Sequence, residues 1–182
     1  MIENHTQNIQ FNEFDELYSD KAIAICPLLA KFKILVYTKE QYETAEVKEE
    51  LPEIEWDESP LAFCMNKPNG DASSTLAVVV VDENCCDFLG LTNEEIMASV
   101  AHEVGHIIFF FLTNKAVYDK AGEEIVADGY ATRMGLGEHL KSALIKLMGS
   151  DLYSEGQRDL MRIRIQKIDF VMSHAWLYDM TT

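Results

Sequence analysis

Two histidines and a glutamate stand at a spacing that suits metal-assisted hydrolysis. His102, Glu103 and His106 form a His-Glu-x-x-His element within residues 94–112, whose pattern predicts a helix. Four residues of separation is about one helical turn, so both imidazoles project from one face and can hold the same ion. The Glu103 carboxylate can take a proton from metal-bound water. The element predicts a zinc hydrolase. The alternative is that the two histidines lie on a helix and make their hydrogen bonds without a metal.

A third protein ligand is expected on another element, because catalytic zinc has three protein ligands and an open position for water. A metzincin would carry a histidine near position 112, which is Leu112. Downstream, Glu124 and Asp128 share a helix face at one-turn spacing. We predict Glu124 as the third ligand and Asp128 as the carboxylate that accepts a hydrogen bond from a zinc-bound imidazole. Glu123, about 100° around the helix, is the rival ligand, and two solvated acids are the alternative without a metal.

Two further histidines leave the ligand count open. His139 and His174 are candidates as ligands, and a closed shell with one of them as fourth ligand would indicate a structural ion. His174 is also a candidate, with Tyr130 and Arg133, for stabilising the oxyanion of an amide hydrolysis. The sequence alone does not choose among these three residues.

The amino-terminal half predicts a small sheet. Residues 14–32 suggest an amphipathic helix broken near Pro27, and residues 33–38 a strand. Acidic residues 40–60 predict mainly a loop with one helical turn at most, either covering the site or lying inert on the surface. Strands at 61–66 and 75–81, joined by a Lys-Pro-Asn-Gly turn, predict a hairpin. A substrate peptide could pair with strand 75–81 if it is an edge strand; the alternative is an interior strand.

The carboxyl-terminal half predicts helices only. Thr92 and Glu95 fit a capping box that opens the histidine-bearing helix, and Ser154 with Gln157 fits another that opens a last helix to about residue 174. Between them, helices are expected at about 121–134, ending in Gly-Leu-Gly, and at about 138–148. The fold class is therefore α+β: an N-terminal helix and a short mixed or antiparallel sheet, followed by a helical half that carries the metal site.

The composition limits which classes of partner and which cellular compartment are expected for this chain. A chain of 182 residues suits one domain, residues 1–182. A net charge of −16 argues against nucleic acid and anionic membranes, and favours a polypeptide partner. Residues 1–10 lack the pattern of a secretory signal, and the longest apolar run, 107–112, is too short to span a membrane. Four cysteines without a C-x-x-C pair (26, 64, 85 and 86) predict reduced thiols and a cytoplasmic location. The oligomeric state stays open.

Two motifs resemble known metallopeptidases. HEVGH at 102–106 followed by EIVADGYA at 124–131 is similar to the gluzincin signature. The strand, turn and capped helix before the motif resemble the ImmA/IrrE-like metallopeptidases. ADGYA at 127–131 and ALIKL at 143–147 resemble the HtpX and CAAX-prenyl-protease group, which carries transmembrane helices that this sequence does not predict. The resemblance covers residues 78–147, and a compact gluzincin nearer ImmA/IrrE is expected.

The resemblance implies a small zincin-like domain with one zinc ion per chain. It implies zinc ligands at His102, His106 and Glu124, with Glu103 as the general base of peptide-bond hydrolysis. The alternative is a catalytically silent, gluzincin-like binding or regulatory protein that keeps the metal site. Zinc suits two imidazoles and a carboxylate best, although iron, cobalt or manganese can occupy the same ligands.

Overall fold

The computed structural model describes most of the chain, namely residues 2–4, 25–26, 29, 32–50, 61–65, 75–113 and 120–174. The chain divides into two compact units, Met1–Phe88 and Leu89–Thr182. The predicted N-terminal helix and the Lys-Pro-Asn-Gly turn fall almost entirely outside the described residues. The assignment of residues 1–182 to one domain stays a prediction.

The first unit is built on a four-stranded mixed sheet. Its strands are Ile2–Asn4 (β1), Phe32–Thr38 (β2), Leu61–Met65 (β3) and Thr75–Val81 (β4), in the spatial order β1-β2-β4-β3. β2 runs parallel to both β1 and β4, whereas β3 pairs antiparallel with β4, Leu61 opposite Val81 and Met65 opposite Ala77. The predicted strands and the predicted hairpin pairing are confirmed.

β4 is an interior strand, so one of the two interpretations of residues 75–81 is wrong. It lies between β2 and β3, and its backbone groups bond to both neighbours. Residues 77–81 are fully buried, as expected for a β-branched run with strands on both sides. A substrate peptide therefore cannot add to this strand by main-chain pairing.

Short helices follow two of the strands. Lys39–Thr44 (α1) and a 3-10 turn at Glu46–Glu50 occupy the beginning of the acidic segment, which is more helical than the predicted loop. Thr38 caps α1 through a capping box with Gln41. Glu83–Leu89 (α2) follows β4. Tyr42 of α1 packs with sheet residues in a buried apolar cluster, which joins helix and sheet.

The second unit is helical, which confirms the α+β class with a helical carboxyl-terminal half. Its helices are Asn93–Thr113 (α3), Lys120–Ala131 (α4), Gly137–Gly149 (α5) and Glu155–Ser173 (α6). Residues Thr132–Leu136 join α4 to α5 through a kink. It contains Gly135 with φ of 88°, a left-handed conformation that glycine adopts at little cost. None of the helices in the described ranges is long and apolar enough to cross a membrane.

Both predicted capping boxes are present. At the start of α3, Glu95 N–H donates to Thr92 Oγ1 at 3.3 Å, and Thr92 N–H donates back to Glu95 Oε2 at 2.6 Å. At the start of α6, Gln157 N–H donates to Ser154 Oγ, and Ser154 N–H donates to the Gln157 side chain. These caps fix where the helices that carry the site begin.

Candidate metal centre

The two histidines of α3 meet at their Nε2 atoms. His102 and His106 are 6% and 5% exposed, and their Nε2 atoms lie 2.9 Å apart. The ring planes are nearly perpendicular, at 87°, with centroids 4.5 Å apart. One-turn spacing on a single helix therefore brings two ring nitrogens to one buried point, as the sequence predicts.

Glu124 of α4 completes a group of three. Its Oε2 lies 3.4 Å from His102 Nε2, and its Oε1 lies 3.8 Å from His106 Nε2. The three side chains each offer one ligand atom within 4.8 Å of the others, so the group can hold a metal ion. The described parts of the chain contain one such group, and neither His139 nor His174 belongs to it.

A separate carboxylate faces the other nitrogen of each ring. Asp128 Oδ1 lies 2.8 Å from His102 Nδ1, which is the contact expected from the sequence. Glu123 Oε1 lies 2.8 Å from His106 Nδ1. Glu123, the alternative third ligand, thus lies beside the His106 ring on the side away from Nε2. This position was not predicted from the sequence. A carboxylate that accepts a hydrogen bond from Nδ1 favours the neutral tautomer whose Nε2 lone pair can bind a metal ion.

The donor set fits a divalent cation. Two Nε2 lone pairs that face each other at 2.9 Å repel unless a proton or a metal ion lies between them. Glu123 and Asp128 are buried, and Glu124 is half-buried. The Arg164 guanidinium contacts both Asp128 and Glu124. Buried carboxylates are costly unless positive charge compensates them. A divalent ion at the Nε2 atoms would supply that charge.

Arg164 of α6 is a member of the site that the sequence analysis missed. Its Nε and Nη2 donate to Asp128 Oδ2 and Oδ1 at 2.8 and 2.7 Å, and its Nη1 pairs with Glu124 Oε2 at 2.8 Å. One signal was available: Met161, Arg164 and Ile168 are the buried residues of α6, at helical spacing. An arginine on an apolar stripe indicates a buried acidic partner.

The charges of the site shift its pKa values strongly. Burial, the largest influence, and Arg164 both disfavour the His102 imidazolium, but Asp128 and Glu124 outweigh them and raise its pKa to about 9. Burial likewise opposes ionisation of Glu124, but His102, Arg164 and His106 together lower the pKa of this carboxyl to about 2. Without a metal, the site therefore holds an ionised Glu124 beside a protonated His102.

Glu103, the predicted general base, lies on α3 beside the first ligand. It is half-buried, and burial, partly opposed by the two histidines, raises the pKa of its carboxyl. A raised carboxyl pKa lies nearer neutral pH, where a general base works best. The environment of Glu103 thus suits the role that the sequence suggests.

The remaining candidates lie in other settings. Tyr130 is buried, Arg133 and His139 are exposed, and His174 stacks on Phe170 with ring centroids 4.3 Å apart. Three cysteines, numbers 26, 85 and 86, are free thiols outside the group of three.

Comparison of the chain with known protein families, curated proteins and solved structures gives no match. The likeness to metallopeptidases rests on sequence patterns within residues 78–147, and it stays a prediction.

Proposed function

We propose that this protein is a zinc-dependent metallopeptidase of the gluzincin type that hydrolyses peptide bonds. One observation carries the proposal: two Nε2 atoms and the Glu124 carboxylate converge, while a carboxylate faces the Nδ1 of each ring. Carboxylates behind metal-binding histidines fix the tautomer and raise the basicity of the ring. A helix pair without a ligand has no need of this arrangement.

The ligand set favours zinc in a catalytic role, one ion per chain. Two imidazoles and one carboxylate leave an open position on a tetrahedral ion. Bound there, zinc would polarise the scissile carbonyl and lower the pKa of a water molecule to about 7. His102 and His106 supply their lone pairs only as neutral rings, which the Asp128 and Glu123 contacts orient.

Glu103 is the proposed general base. It accepts a proton from the attacking water and passes it to the leaving amine. Burial raises the pKa of Glu103, which makes its carboxylate a stronger base than an exposed one. Glu103 is the catalytic residue of this proposal; Asp128 and Glu123 act through the histidines.

The proposed substrate is a polypeptide. A net charge of −16 repels nucleic acid and anionic membranes, and favours neutral or basic chains. Three free cysteines agree with the reducing compartment, the cytoplasm, that the proposal assumes. The sequence of the cleaved site is to be found with a library of peptides.

Metal content tests the centre. Mass spectrometry on protein purified without added metal should find about one zinc per chain in the wild type and little in Glu124→Ala. Glu138→Gln, an exposed acid on α5, is the matched control and should keep the metal. A wild type without zinc, even after reconstitution, would contradict the proposal.

Glu103→Gln tests the chemistry separately. This variant should keep its zinc and lose about 10²–10⁴-fold in the rate of peptide hydrolysis, the usual contribution of general base catalysis. A zinc-loaded wild type that cleaves no member of a peptide library would support a second candidate, a silent metal-binding regulatory protein. Arg164 favours that candidate, because its positive charge beside Glu124 opposes binding of a cation.

A further inference from the structure

Arg164 brings a permanent positive charge to the group of three. Its Nη1 lies 2.8 Å from Glu124 Oε2, and its Nη2 lies 3.3 Å from both ring nitrogens of His102. Its Nε and Nη2 donate to the two oxygens of Asp128 at 2.8 and 2.7 Å. Because Arg164 is 9% exposed, water screens these charges only weakly. The guanidinium thus contacts two of the three residues that could hold an ion.

The charge at Glu124 Oε2 is balanced by an ion pair rather than by a hydrogen bond. This oxygen is buried and accepts no hydrogen bond within the described part of the chain. A buried carboxylate oxygen without a donor is costly unless a cation lies close to it. The 2.8 Å contact with the Arg164 guanidinium supplies that cation. The site therefore has a positive charge of its own beside a carboxylate that a divalent ion would also bind.

We propose that Arg164 is an internal counter-cation, which compensates Asp128 and Glu124 when no ion is bound and lowers the affinity of the site for a divalent ion. The inference rests on the proposed metal centre, since it concerns how tightly that centre holds its ion. Two cations that both approach Glu124 repel each other. The contacts among α3, α4 and α6 therefore form without an ion, and a bound ion exchanges more readily than it would without the arginine.

Arg164→Met tests the inference without measuring activity, because methionine keeps part of the bulk and removes the charge. Two quantities are measured on the full chain: the zinc affinity by chelator competition, and the midpoint of denaturant unfolding with and without zinc. The variant should bind zinc about tenfold more tightly, since repulsion between charges a few ångströms apart outweighs the lost support of Asp128. Zinc should therefore raise the midpoint more in the variant than in the wild type. Arg162→Met, an exposed arginine of the same helix, should change neither quantity.

The outcomes separate this inference from the proposed function. An unchanged zinc affinity in Arg164→Met would make the arginine a structural residue only, and a weaker affinity would make it a support for Asp128. Either result overturns the inference and leaves the metal centre intact. A wild type without zinc beside a variant that binds it would support the inference and contradict the proposed peptidase, and two proteins without zinc would overturn both. If Arg164→Met folds neither with nor without zinc, Arg164→Gln, whose amide can still donate to Asp128, replaces it under the same expectations.

Discussion

Gly105 and Ala127 lie so close that no side chain fits between them. A Cβ placed on Gly105 would stand 2.6 Å from Ala127 Cα and 3.0 Å from its carbonyl oxygen. Gly105 precedes a ligand in α3, and Ala127 precedes Asp128 in α4, so the close approach of these backbones sets the distance across the site. Gly105 is therefore required by packing, although glycine weakens a helix.

Gly105→Ala should push α3 and α4 apart. Because the atoms in the way belong to the backbone, we expect a loss of about 1–3 kcal/mol in the free energy of unfolding. Zinc affinity should fall as well. Denaturant unfolding and a zinc-chelator competition measure the two effects.

Gly129→Ala is the matched control, since nothing lies within 4 Å of a Cβ at that position of α4. This variant should gain about 0.5–1 kcal/mol, because alanine favours the helix. Equal stabilities of the two variants would contradict the packing argument.

The carboxylates behind the rings should set the affinity for the ion. Asp128→Asn and Glu123→Gln each remove a charge 2.8 Å from an Nδ1 atom. Each should weaken zinc binding by about 10–100-fold, the usual effect of losing such a partner. Chelator competition measures the affinity, with Glu138→Gln as the control. An unchanged affinity in Glu123→Gln would contradict a role for Glu123 in metal binding.

Zinc binding should release protons. The pKa of His102 is raised to about 9, so the metal-free ring is protonated below that pH, and an ion must displace the proton. The affinity should therefore fall by about tenfold for each unit that pH drops below 9. Titration calorimetry in buffers of different ionisation enthalpy counts the protons. Asp128→Asn should release fewer, and a wild type that releases none at neutral pH would contradict the protonated ring.

The buried cap of α3 should contribute to stability. Glu95 is 4% exposed, accepts from Ser142 Oγ at 2.6 Å and pairs with Lys146 Nζ at 2.7 Å. Glu95→Gln should cost about 1–3 kcal/mol, because a buried charged hydrogen bond is lost. Glu94→Gln, the exposed neighbour, should cost little in the same unfolding experiment. Equal losses in both variants would contradict a special role for Glu95.

Glu95 should also make the free energy of unfolding depend on pH. Burial opposes ionisation of Glu95, but Lys146 and Ser142, with the Thr92 backbone, hold its pKa below the ordinary value of 4.5. A lowered pKa in the folded state means that the unfolded state binds the proton first. The contribution of Glu95 is therefore complete above pH 4.5 and disappears as pH falls through the lowered pKa. Unfolding curves from pH 6 to 3 should fall less steeply for Glu95→Gln than for the wild type.

Local patterns predicted the elements well, because each depends on a few neighbouring residues. Capping boxes at Thr92 and Ser154 mark helix starts through contacts three residues apart. The valines of β4 indicated burial, but not whether β4 lies at an edge, since its neighbour β2 comes from a distant part of the chain. The break between α4 and α5 at Gly135 was predicted, because a glycine in the left-handed conformation is a common helix stop.

The site residues that follow a helical spacing were predicted from the sequence. The residue whose partners are distant in sequence was missed. His102, His106 and Glu124 follow from one-turn spacing and from the chemistry of zinc. Arg164 lies 36 residues after Asp128, and a single arginine carries no spacing that points to its partner. Glu123 was judged only as a ligand, so its contact with the far side of His106 was not considered.

The three residues that could hold an ion come from one short stretch, residues 102–124, whereas Arg164 lies 62 residues beyond His102. Closing a short loop costs less chain entropy than closing a long one, and local contacts form early in folding. The order of assembly follows. We expect the α3–α4 pair to bring these residues together first, before α6 docks and places its arginine against the carboxylates.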